Sequence, residues 1–153
     1  MRSIASLIIL SAAMGGAATF ANRVDAAEAP EGGELRIEVS GLRNTKGMVH
    51  ACLTQDRAYF PNCDADARAL RISVAAGEAS ELRLADVPAG RYALSLIHDE
   101  NGNGKLDTFA MVPREGFGFS GNPPIRFGPP RFDEVRFQLS GDGRQVVRLR
   151  YLL

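Results

Sequence analysis

The residues best suited to do chemistry in this chain lie in one run, Asp99-Glu100-Asn101-Gly102-Asn103-Gly104-Lys105-Leu106-Asp107. Read as a calcium loop, Asp99, Asn101, Asn103 and Asp107 put side-chain oxygens at positions 1, 3, 5 and 9. Lys105 offers its backbone carbonyl at position 7, and Gly104 stands at position 6, where such a loop turns sharply. Calcium favours hard oxygen ligands, and the two asparagines supply them without stacking more negative charge. Position 12 calls for a bidentate Glu, and here it is Ala110, with Glu115 further on as the candidate to reach in. A weak calcium site is therefore expected, with Ca2+ the sole cofactor suggested. The rival account is a strand-ending turn rich in Asn and Gly that needs no ion.

Beyond this loop the catalytic equipment is sparse. The chain has two His and no Trp. His98 and Asp99 are neighbours, but adjacent residues of a strand point to opposite faces, so they form no dyad there. His50 is expected on the polar face of its own strand. Gly116-Phe117-Gly118-Phe119-Ser120-Gly121 matches a dinucleotide-binding spacing, yet Asn122-Pro123-Pro124 follows and denies it a helix N-terminus. Ser120 lacks the second glycine of a nucleophile elbow, because Asn122 stands there. No catalytic residue is assigned. The segment 108–131 shows no strand alternation and is expected to be one long Pro/Gly/Phe-rich loop. Its aromatics and guanidiniums, together with His98, form a candidate ligand surface: Arg114, Phe117, Phe119, Arg126 and Phe127. The competing expectation is that the Phe rings cap the open end of the fold while the arginines reach outward.

Elements with a period of two must hold these segments. Leu35, Ile37 and Val39 alternate with Glu34, Arg36 and Glu38. Val49, Ala51 and Leu53 repeat the pattern, as do Leu70, Ile72 and Val74, then Leu82 and Leu84. Tyr92, Leu94 and Leu96 follow, then Val135, Phe137 and Leu139, then Val147, Leu149 and Tyr151. Each set has one apolar face, the mark of a half-buried strand. About seven such strands between short turns predict an all-β, antiparallel two-sheet sandwich, immunoglobulin-like or transthyretin-like. Tyr92, at a strand start, is either a corner anchor or a core aromatic.

The compartment is read from the start of the chain and from the cysteines. Arg2 precedes an uncharged run, Ser3 to Asn22, whose apolar centre is Ile4 to Met14. Small residues at Thr19 and Ala21 complete a secretory signal peptide over 1–21, cleaved after Ala21 or, as a second choice, after Ala26. Residues 22–33 read as a flexible leader and 34–153 as the sandwich domain. The mature form is expected to be periplasmic or secreted, with no membrane span. In that oxidising setting Cys52 and Cys63, the only cysteines, are expected to form a disulfide. Lys+Arg and Asp+Glu number 18 each, and this balance argues against nucleic acid as a partner.

Three stretches together resemble a known family. They are His98 to Asp107, Pro113-Arg114-Glu115-Gly116-Phe117-Gly118-Phe119-Ser120, and Arg126-Phe127-Gly128-Pro129-Pro130. Gly41-Leu42-Arg43-Asn44 and Lys46-Gly47 fit as well. The chain resembles an exported bacterial family catalogued as domain of unknown function 2141, from about Glu34 to Tyr151. The resemblance implies an exported β-sandwich and carries no activity, cofactor or catalytic residue. The acidic loop also resembles calcium loops on some bacterial surface sandwiches. The expected function is that of an exported, non-catalytic structural or binding module, its partner an envelope protein or ligand that the sequence does not identify. The alternative is a periplasmic enzyme or small-ligand binder using His98 and the 108–131 loop.

Overall fold

Alternating apolar residues fold into paired strands because only one face of each can then leave water. The computed structural model describes residues 32–153, so the signal peptide and all but the last two residues of the leader lie outside the described residues. Ten strands run in chain order: β1 (Gly33–Ser40), β2 (Met48–Thr54), β3 (Leu70–Ala75), β4 (Glu81–Val87), β5 (Gly90–Asp99), β6 (Thr108–Phe109), β7 (Val112–Pro113), β8 (Gly116–Phe119), β9 (Phe137–Leu139) and β10 (Gly143–Arg148). A single helical turn, α1 (Phe132–Val135), precedes β9. Gly33 is already the first residue of β1 and is buried, so the strand begins inside the expected leader.

One sheet has the order β10-β1-β4 and the other β3-β2-β5-β8, with β9 also pairing β5. All pairs but one are antiparallel; β1 runs parallel to β10, with Leu35 opposite Gly143 and Val39 opposite Val147. The two sheets face each other as the expected sandwich. Leu35, Ile37, Leu82 and Val147 on one inner face pack against Val49, Leu53, Leu94 and Leu96 on the other, each nearly or wholly shielded from water. Beyond β10, Arg150 exchanges two backbone hydrogen bonds with Phe117 of β8, which ties the sheets together along one edge.

Several expectations need correction. The segment 108–131 contains three strands, not a structureless loop. β6 and β7 form a small separate hairpin turned by Ala110 and Met111, both left-handed at φ 47° and 65°. β8 adds to the main sheet through Gly116 and Gly118, where a Cβ would meet the Tyr151 ring or Val147. Val135 ends α1 instead of starting a strand, and β10 stops at Arg148, before Leu149 and Tyr151. The Phe rings do not cap the open end of the sandwich. Phe117 and Phe119 pair with Ile97 and Ser95, so they lie on the outer face of the larger sheet. There they pack with Ala93, Phe132, Val135 and Phe60 in a second apolar cluster.

Two local devices match their expectations. Tyr92 anchors a corner: its hydroxyl donates to the Pro88 carbonyl at 2.8 Å while its ring sits in the core. Cys52 and Cys63 form a disulfide, with Cα atoms 6.3 Å apart. It fastens the segment after β2 to the outer face, where Arg71 donates to the Cys63 carbonyl and Ser95 Oγ donates to the Pro61 carbonyl at 2.8 Å. Alkylation of the denatured, unreduced protein should therefore label neither cysteine. Replacing both with Ser should lower unfolding free energy by about 3 kcal/mol in chemical denaturation; an unchanged midpoint would assign the bridge no part in stability.

Candidate functional site

β2 and β5 bring the two histidines to one end of the larger sheet, on opposite faces. Met48 lies opposite Asp99, Val49 opposite His98, and His50 opposite Ile97. His98 therefore points inward and Asp99 outward, as the strand period requires. His98 is fully buried. Its Nε2 lies 2.7 Å from the Lys46 carbonyl and its Nδ1 2.6 Å from the Tyr151 hydroxyl. A carbonyl only accepts, so Nε2 carries the hydrogen. Tyr151 accepts the Arg43 backbone N–H at 3.2 Å and donates to Nδ1. His98 is thus a clamp joining the β1–β2 connection to the end of the chain. It presents no nitrogen to a ligand.

Asp99 is the pivot of the acidic loop and is also fully buried. Its Oδ1 accepts the backbone N–H groups of Gly102 at 2.8 Å and Asn103 at 3.1 Å. Its Oδ2 accepts the N–H of Gly104 at 2.7 Å and His50 Nε2 at 3.2 Å. Burial pushes the Asp99 carboxyl up, but these donors together, Gly104 foremost and then His50, outweigh it and hold it below the usual carboxylate range. Gly102 and Gly104 take φ 74° and 81°, the left-handed backbone that aims their amides back at Asp99. The rest of the loop closes in the same way. Asn101 Oδ1 accepts the Asn103 N–H and Asn103 Oδ1 accepts the Lys105 N–H, both at 3.0 Å. Asn101 Nδ2 and Asn103 Nδ2 donate to the two oxygens of Asp107 at 2.6 and 3.0 Å.

Glu115 does reach in, at the base of the loop. It is buried, and its two oxygens accept the N–H groups of Glu100 and Asp107, each at 2.9 Å. It clamps the two ends of the loop together through backbone donors. Glu100 turns outward onto Arg43, with Nε and Nη2 at 2.6 and 2.8 Å, and accepts Asn44 Nδ2 at 2.9 Å. The Arg43 guanidinium holds the Glu100 carboxyl down at about 2, and it also stacks 4.4 Å above the Tyr151 ring.

The loop residues Asp99, Asn101, Asn103 and Asp107 are thus gathered into one hydrogen-bonded ring. The ligand surface is not assembled. His98, Phe117 and Phe119 are buried, while Arg114, Arg126 and Phe127 are exposed. Ser120, also buried, donates to the Val135 carbonyl at 2.6 Å and accepts the Leu94 N–H at 3.1 Å, four residues along β5 from His98. One arrangement escaped sequence reasoning. Ser73 Oγ lies 2.6 Å from His50 Nδ1, which completes a Ser73–His50–Asp99 relay across β3, β2 and β5. Ser73 is exposed on the outer sheet face and Asp99 is occupied by three backbone amides, so the relay serves to fix the loop against the sheet. Only the registers of β2 against β3 and against β5, set by contacts distant in sequence, bring its members together.

Fold and site together define a mainly antiparallel β-sandwich module with one disulfide and an Asx-rich loop at one end. The chain belongs to the family described as uncharacterized protein conserved in bacteria (DUF2141), whose model matches residues 37–147. No curated protein and no solved structure matches it. Among the described residues no helix is long and apolar enough to cross a membrane.

Two measurements test this network. The folded carboxyls of Glu100 and Asp99 sit below their unfolded values, roughly 4.3 and 3.9. Their contribution is therefore complete above those values and is lost as pH falls toward 2. Thermal unfolding should show Tm dropping between about pH 4.5 and 2. In Glu100→Gln, which cannot titrate there, the drop should be smaller; an equal drop would show that Arg43 does not hold Glu100. Gly116→Ala would set a methyl against the Tyr151 ring at 2.6 Å. It should destabilise the fold by about 1–3 kcal/mol and shift the His98 imidazole resonances in NMR spectra.

Proposed function

We propose that the chain is an exported, non-catalytic sandwich module whose 99–107 loop takes up calcium weakly and presents a stiffened end to an envelope partner. The observation that carries the calcium reading is Asp107. Its half-buried carboxylate has two Asn amide groups as its side-chain partners, inside a ring that also contains Asp99. A cation that displaced those amide hydrogens would meet the Asp107 oxygens and, after amide rotation, the oxygens of Asn101 and Asn103, with the Lys105 carbonyl as a further donor. Glu115 is committed to backbone amides, so no bidentate carboxylate comes from outside the loop. That supports weak binding. Export is supported by the disulfide, a bond typical of oxidising compartments. The non-catalytic reading is supported by His98, whose two ring nitrogens are both engaged inside the protein.

Calcium titration should give Kd on the order of 10⁻⁴ to 10⁻³ M. Millimolar calcium should then raise Tm by a few degrees at most, because only the folded loop binds. Magnesium should do less, since it keeps its waters and wants a tight octahedron. Asp107→Asn is the discriminating variant, because Asp99 also caps three backbone amides and its loss would disturb the loop with or without an ion. Asp107→Asn should remove the calcium response and preserve the far-UV spectrum. Identical melting curves in calcium and in chelator would reduce the loop to a self-closed turn.

A further inference from the structure

At the opposite end of the larger sheet, where Thr54 pairs with Ala93, the disulfide-anchored segment, the start of β5 and α1 enclose an open groove of about 440 Å³. Its lining holds four arginines, Arg57, Arg68, Arg91 and Arg136, against two carboxylates, Asp56 and Asp133. Asp133 is shared, 3.2 Å from Arg57 and 3.3 Å from Arg136. Asp56 lies 3.7 Å from Arg68, a long and loose pair. Among the described residues Arg91 has no ion-pair partner. The groove therefore has an excess of two positive charges in a chain whose total charges balance at 18 and 18. The contrast with the other sheet is plain. There Arg83 and Arg144 each face a carboxylate, Glu81 at 2.6 Å and Glu38 at 2.5 Å.

We infer that this groove binds a ligand bearing a phosphate monoester, of about the size of a sugar phosphate. Several observations combine. The groove is open and polar, with room for a small ester. A phosphate monoester is close to a dianion at neutral pH and matches the charge excess. Guanidinium forks meet phosphate oxygens two at a time, so arginines discriminate this chemistry better than point charges would. The walls are also held from behind. Cys52–Cys63 closes the loop that carries Arg57, buried Asp66 accepts the Arg68 N–H and the Thr54 hydroxyl, and Arg91 sits in register opposite Gln138 of β9. Phe132, nine-tenths buried in the second apolar cluster, anchors α1 and with it Arg136. The binding site is independent of the calcium loop at the other end.

The same headgroup chemistry occurs free and on a membrane, so the test has two arms. Glucose 6-phosphate is titrated into the folded protein by calorimetry, and flotation is measured with phosphatidylcholine vesicles containing phosphatidic acid. Saturable binding in either arm is expected, and the arm that responds assigns the source as soluble ester or lipid headgroup. Arg91→Gln, at an exposed side chain with no ion-pair partner among the described residues, should weaken binding about tenfold. Arg83→Gln, on the other sheet, should leave it unchanged. Absence of saturable binding in both arms would overturn the assignment. So would an equal loss in Arg83→Gln, which would mean diffuse attraction to surface charge. Matching circular dichroism spectra for the variants keep a folding defect from being read as lost binding.

Discussion

β5 has no wet face along most of its length: from Tyr92 to Leu96 every residue is buried, and His98 and Asp99 are buried again at its end. A strand sealed on both sides cannot leave a polar side chain without a partner, since the lost hydration would cost several kcal/mol. Ser95, His98 and Asp99 therefore each dictate where another part of the chain must lie. Ser95 draws in the Pro61 carbonyl and with it the disulfide segment. His98 draws in Lys46 from one direction and Tyr151 from the other. Asp99 winds the loop that follows it by gathering three successive amides. Among the described residues no buried side-chain nitrogen or oxygen is left without a partner.

The two ends of this strand differ in chemistry for a reason that follows from the same constraint. At the Asp99 end Asp99 and Glu115 turn inward onto backbone N–H groups and Asp107 onto two Asn side-chain amides, while Glu100 is neutralised by Arg43. At the Gly90 end the arginines stand on the rim of a concavity; of their two carboxylate partners Asp133 is exposed and shared, and Asp56 is half-buried and loosely paired. Exposed pairs of that kind hold little free energy and exchange readily with solvent ions. The smaller sheet is different again: its outer face carries Arg36, Arg83 and Arg144 among Glu34, Glu38 and Glu81, a cross-strand lacing that suits a plain solvated surface.

How much of this the sequence reveals depends on whether the signal is local. Strands β1, β2 and β4 are legible because one face of each meets water and the alternation survives in the residue types. β5 is legible only on its inner face; Ala93 and Ser95 look like outward positions until the Phe cluster is seen to cover them. β8 alternates Gly with Phe, but its glycines are demanded by Tyr151 and Val147, residues some thirty positions away, and no local pattern announces that. The loop residues Asp99, Asn101, Asn103 and Asp107 are legible as a set from spacing alone. Glu115 is legible as a residue able to reach in, but its clamp on two backbone amides is not, and neither is His50, which sheet register delivers. Each arginine of the groove reads singly as an ordinary surface residue. The concavity comes from three separate segments meeting.

The parallel pairing of β1 with β10 sets the order in which the molecule can assemble. Leu35 finds its neighbour at Gly143, with nearly the whole described chain between them. Without the last strand, β1 keeps one edge unsatisfied, and the C-terminal segment that closes the sandwich against Phe117 and His98 is missing as well. Closing so long a loop carries its entropic cost before any contact rewards it. A chain made from its N-terminus therefore cannot pair both edges of β1 or seat His98 against Tyr151 until β10 and the segment beyond it are present.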